Sequence, residues 1–190
     1  MYNRSLIPLL LIALGVSARL LPHPPNFAPI MAIALFGGIY LPKHWAILAP
    51  LAAMFLSDLM IGFYAWPIML SVYMSFSLSG LVGVWIRQKT TARRIIGGTL
   101  LSSILFFLVT NWAVWAFGAM YPHTIGGLFE SYTLAIPFFR NSLLGDFFYV
   151  GLMVGGYELA LHRLSQRQPH FYVVTRTFPL HTPHRRHRCE

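Results

Sequence analysis

Residues 95–118 hold no Lys, Arg, Asp or Glu. Leu100, Leu101, Ile104, Leu105, Phe106, Phe107, Leu108 and Val109 would cover every side of a helix built from them. A helix of a soluble bundle needs a polar face for water, and this one has none. The rest of the chain agrees. Of its 190 residues, 14 are Lys or Arg and 5 are Asp or Glu, so 10% are charged, against roughly a quarter in an average soluble domain. The apolar share is 56% and the aromatic share 15%. These figures argue against a soluble enzyme, a disordered chain and a disulfide scaffold. The single cysteine, Cys189, has no partner for an internal bridge. The expectation is an all-α integral membrane protein with one compact membrane domain.

A spanning helix needs about 20 mostly apolar residues. Six segments qualify as candidates: 5–21, 29–42, 45–64, 67–87, 95–118 and 139–163. The second is too short to cross upright unless its neighbours extend it or protein surrounds it. Pro22, Pro24, Pro25 and Pro29 separate it from the first, and Pro42, Pro67 and Pro137 mark other boundaries. The first segment also has signal-peptide features, with Arg4 at its basic end and Val16-Ser17-Ala18 as a cleavage site. Its apolar run continues through Leu20 and Leu21, which favours a retained span.

Lys and Arg set the direction. With the N-terminus in the cytoplasm, six spans leave Arg4, Lys43, Arg87, Lys89, Arg93, Arg94, Arg163, Arg167, Arg176, Arg185, Arg186 and Arg188 inside, 12 of the 14. Arg19 and Arg140 fall outside. The expected topology is therefore six transmembrane helices, N-in/C-in, over residues 1–163. Residues 164–190 would form a basic, His-rich, disordered cytoplasmic tail. The loop 119–138 would lie outside, with Leu128 to Phe139 as a lid or interfacial helix.

Ionisable groups inside a membrane are costly unless paired, and they mark function. In this topology Arg19, Asn26, Asp58, Asn111, Arg140, Asn141 and Asp146 reach one external layer, and Glu158 lies toward the cytoplasm. One reading is an outward pocket in which these groups orient a ligand, with Trp112 and Trp115 stacking on it. The competing reading is mutual neutralisation, Arg19 with Asp58 and Arg140 with Asp146. Trp66 and Tyr121 read as an interfacial aromatic belt. Ser71, Ser75, Ser79 and Gly83 recur every four residues, Ala49 and Ala53 form a similar pair, and Gly151 and Gly155 form G-x-x-x-G. Such stripes let helix backbones approach closely.

No phosphate-binding loop precedes Lys43 or Lys89, and H-E-x-x-H, G-x-S-x-G and C-x-x-C are absent. No catalytic group, metal site or cofactor is expected, although Asp58 and Asp146 leave an intramembrane aspartyl enzyme open. His170, His181, His184, His187 and Cys189 do not fit a closed zinc site. Nucleic-acid binding is disfavoured, because topology accounts for the basic charge.

Four segments carry a resemblance: Arg19-Leu-Leu-Pro-His-Pro-Pro-Asn26-Phe-Ala-Pro29, Ala34-Leu-Phe-Gly-Gly38, Ser57-Asp58-Leu-Met-Ile-Gly62-Phe63 and Pro137-Phe-Phe-Arg-Asn-Ser-Leu-Leu-Gly-Asp146. Over residues 5–163 the chain resembles an uncharacterised family of small bacterial inner-membrane proteins. That family in turn resembles the S components of energy-coupling factor (ECF) vitamin transporters. The resemblance implies a protein that captures a small, vitamin-like molecule from the outer side and contains no ATPase. It implies as partners the lipid bilayer and an ECF module of a T protein and two ATPases. S components often carry A-x-x-x-A on the first span, where this chain has Ala13-x-x-x-Ser17. The alternative from another class is a cell-envelope scaffold subunit of the MreD type, without a ligand.

Overall fold

A computed structural model describes residues 6–166. Arg4 and the His-, Arg- and Cys-containing stretch 167–190 lie outside the described residues. Among the described residues there are six helices and no strand: α1 Leu6–Leu20, α2 Ile30–Tyr40, α3 Trp45–Ile61, α4 Trp66–Arg87, α5 Ala92–Phe117 and α6 Ile125–Gln166. Three of them, α4, α5 and α6, are long and apolar enough to cross a membrane. The other three are apolar but shorter, at 15, 11 and 17 residues. Contacts divide the chain into one unit that ends at Gly155 and another that begins at Gly156. Of the second, only the helical residues 156–166 are described, and His162 and Gln166 hydrogen-bond there across one turn.

The first unit is built around α2. Ile30 to Ile39 are all buried, as expected of a helix that is apolar on every side. At about 1.5 Å per residue it rises only ~16 Å, about half a hydrocarbon core. Protein, not lipid, surrounds it. The small-residue stripe of α4 makes this possible. Ser71, Ser75, Ser79 and Gly83 are all buried. A Cβ on Gly83 would lie 2.5 Å from the Leu35 carbonyl oxygen, and one on Gly80 would lie 2.3 Å from that of Ala46. Pro50 has no N–H to return to the Ala46 carbonyl, so Gly80 packs against a carbonyl that α3 leaves unbonded. Arg87 closes the end of α2, where its guanidinium donates to the carbonyls of Ile39 at 2.9 Å, Gly37 at 3.4 Å and Leu41. A cation at a helix C-terminus also favours the dipole.

Polarity is distributed inside out. The exterior carries large apolar side chains such as Leu9, Leu10, Met60, Phe129 and Leu152. The interior holds hydroxyls, among them Ser57, Ser75, Ser79, Thr99 and Thr110. Each of these donates to a carbonyl one turn earlier, as Ser75 does to Ser71 and Thr99 to Ile95. The helix thereby satisfies them locally at little cost in its own bonds.

Two expectations are corrected. Pro137 does not end a helix. It lies inside α6, which begins at Ile125 and runs 42 residues to Gln166, past the expected limit at 163. The segment 125–138 is therefore the first part of α6 and not a separate lid. Contacts on both sides of the proline explain this. The Phe107 ring of α5 touches Tyr132 at 5.6 Å and Phe139 at 4.7 Å, and the Tyr132 hydroxyl donates to the Leu108 carbonyl at 2.8 Å. With both flanks fixed to α5, the missing hydrogen bond leaves the helix continuous.

Candidate functional site

Arg19 is in the last turn of α1, where the helix dipole favours a cation. Its Nη1 donates to Asp58 Oδ1 at 2.7 Å, to Ser57 Oγ at 2.5 Å and to the Met54 carbonyl at 3.2 Å. Asp58 is 1% exposed, and its second oxygen accepts from the Tyr73 hydroxyl at 2.8 Å. One carboxylate thus ties α1, α3 and α4 together, with both oxygens bonded.

Asp146 is also buried, at 5% exposure, but its setting differs. The Ser103 hydroxyl of α5 donates to its Oδ2 at 2.7 Å. No cation among the described residues pairs with it. Phe27, from the turn-containing segment between α1 and α2, holds the adjacent turn of α6. It sits 3.0 Å from where a Cβ of Gly145 would be, and its ring touches Phe148 and Tyr149. A glycine beside Asp146 is what lets this segment close on the helix.

Arg19 and Asp146 both line a cavity of about 410 Å³. Arg19, Asn26, Tyr64, Phe76, Phe106 and Asp146 are among its lining residues. They come from the end of α1, the segment before α2, the turn after α3, the first half of α4 and the middle of α5 and α6. Reversal of direction at each turn brings these positions together around one cavity. A second cavity of about 230 Å³ shares Asn26, Val72, Phe106 and Ser142 with the first and continues along Phe107 and Phe139 to Asn111. Asn26 stands at the junction with φ 60°, a left-handed conformation that asparagine tolerates better than most residues.

Of the residues singled out in the sequence, Arg19, Asn26 and Asp146 line the first cavity, Asn111 lines the second, and Asp58 backs Arg19. The others lie elsewhere. Arg140 is exposed and Asn141 half-buried, and neither lines these cavities. Asp146 pairs with Ser103, not with Arg140. Trp112 is 47% exposed, edge-on to Phe117. Trp115 donates its indole N–H to the Pro122 carbonyl at 3.1 Å and so holds the α5–α6 turn. Trp66 is 71% exposed. The phenyl and phenol rings at the cavities are those of Tyr64, Phe76, Phe106, Phe107, Phe138 and Phe139. Asp58 and Asp146 bond to different partners and share no hydrogen bond.

Sequence reading missed Ser103 and Tyr73, the donors to the two carboxylates. Ser102-Ser103 was visible as a polar break in an uncharged run, but pairing it with Asp146 required the helix packing. Phe76 and Phe106 gave no signal, since one Phe among many in apolar helices looks like packing.

An apolar exterior, hydroxyls within, and a cavity holding one ion pair and one buried carboxyl without a counter-ion together define an all-helical protein of membrane type. The chain belongs to the family of unknown function DUF6580, whose model matches residues 1–170. No curated protein and no solved structure matches it.

Proposed function

We propose that this protein is a membrane-embedded substrate-binding protein that captures a small, vitamin-like molecule in the Arg19–Asp146 cavity. The observation that carries this reading is the cavity itself: about 410 Å³ with ionisable groups at its wall, inside a protein whose outer surface is apolar. A volume of that order suits a small organic molecule. In this reading the six helical segments thread the bacterial inner membrane, N-in/C-in, with α2 covering part of the depth inside the protein, and the cavity opens outward. Lys43, Lys89, Arg93, Arg94 and Arg163 support that direction. Binding is proposed without catalysis, because the two buried aspartates have separate partners.

The division of labour is that of an ECF S component. Uphill transport needs a motor, and the chain carries no phosphate-binding loop. Ala13 and Ser17 are exposed on α1 and are offered to a T protein. One observation favours the scaffold alternative: nothing lies within 4 Å of where a Cβ of Gly151 or Gly155 would be, beside an apolar groove of about 180 Å³. A partner helix would fit there.

The test is a thermal-stability screen of the full chain in nanodiscs against vitamins and their precursors. A ligand at 100 times its Kd adds about 2.7 kcal/mol of stability. Ser142 lines both cavities, so Ser142→Phe should abolish the shift, while Trp66→Ala should keep it. If no compound on a broad panel stabilises the protein, the scaffold reading replaces this one.

A further inference from the structure

We infer that the ligand is an elongated organic cation, seated with its charged group at Asp146 and its apolar body along Phe106 toward Asn111. This deepens the binding reading and rests on it. The charges at the cavity carry the argument. Arg19 is neutralised by Asp58, whose oxygens are both bonded, to Arg19 and to Tyr73. Asp146 has one hydroxyl donor, Ser103, and no ion pair among the described residues. It lines the cavity while being 95% shielded from solvent. The acidic group left without a counter-ion there is the Asp146 carboxyl, which a bound cation would hold ionised. A buried carboxylate without a counter-ion is costly, and a cation from outside supplies what the fold omits. An anionic ligand would instead meet that carboxylate at low dielectric, where repulsion is strong.

The neighbouring groups fit the same ligand. Phe76 and Phe106 both line the cavity with ring centroids 5.1 Å apart, and aromatic rings attract organic cations. All three Arg19 contacts run through Nη1, so Nε and Nη2 have no partner among the described residues. They offer donors to a neutral oxygen of the ligand. The elongated shape follows from the second cavity, which begins at residues shared with the first and is walled by Phe107 and Phe139. At its far side Asn111 donates its amide N–H to the Phe107 carbonyl at 2.8 Å, which leaves its Oδ1 as an acceptor.

The test compares three probes that share a phenylethyl body, on the full chain in nanodiscs of neutral phosphatidylcholine: 2-phenylethylammonium, its isostere 2-phenylethanol, and the anion 3-phenylpropanoate. Tryptophan fluorescence and thermal shift read the binding. The cation should bind at least about tenfold more tightly than either the alcohol or the acid, and Asp146→Asn should remove that preference. Ser103→Ala, which keeps the carboxylate, should retain it, so the claim does not hang on one variant. Equal or tighter binding of the alcohol or the acid overturns the inference, as does a cation preference that survives Asp146→Asn. Failure of all three probes also overturns it. Native mass spectrometry then separates the two levels: a co-purified neutral or anionic molecule leaves the binding reading standing, and no molecule at all removes both.

Discussion

The Arg19–Asp58 pair should respond asymmetrically to removal of either partner. Asp58 is 1% exposed, whereas the Arg19 side chain is 18% exposed at the cavity wall. Arg19→Met leaves a buried carboxylate with only the Tyr73 hydroxyl, which should cost about 3–5 kcal/mol. Asp58→Asn leaves the guanidinium partly exposed and still bonded to Ser57 Oγ and the Met54 carbonyl, so its loss should be smaller, about 1–3 kcal/mol. The double variant should lose less than the two singles together, with a coupling of about 1–3 kcal/mol. Equilibrium unfolding in mixed micelles, followed by tryptophan fluorescence, measures all four proteins. Additive losses would show that the ion pair does not form. A larger loss for Asp58→Asn than for Arg19→Met would refute the reasoning from exposure.

Three further outcomes are expected. Gly80→Ala should destabilise the protein by about 1–3 kcal/mol or more, because its Cβ meets the Ala46 backbone, whereas Gly97→Ala, with open space around it, should be neutral or stabilising in the same unfolding assay. Arg87→Met removes charged donors from the end of α2 and should cost about 1.5–3 kcal/mol, read as a shift in the unfolding midpoint. In a Cys189→Ser background on intact cells, Ala119→Cys should react with an impermeant thiol reagent and Lys89→Cys should not; the reverse pattern would invert the proposed orientation.

The helices were legible in the sequence because apolar runs broken by proline and glycine leave little choice. Residues 22–29, with three prolines before Pro29, end α1 and start α2 as the pattern requires. The short second segment also posed the right question, and burial of Ile30 to Ile39 answered it. Pro137 misled for the same reason that the others informed. Proline removes one hydrogen bond, and whether that ends a helix depends on tertiary contacts, here those of Phe107, that local pattern does not carry. At the site, charged and amide groups in apolar segments were visible as candidates, because they are rare and costly there. Which of them meet was not. Arg140 and Asp146 are close in sequence, yet Asp146 bonds Ser103 across to α5. Trp112 and Trp115 drew attention as large rings beside Asn111, but helix rotation turns them away from the cavities and brings Phe106 and Phe107 in.

Native mass spectrometry of the full chain, extracted gently from its own membrane, bears most directly on ligand capture. The account predicts a single small-molecule adduct of defined mass, lost in Ser142→Phe and weakened in Asp146→Asn. Bare protein under every extraction condition, or an adduct that Ser142→Phe leaves untouched, would contradict it.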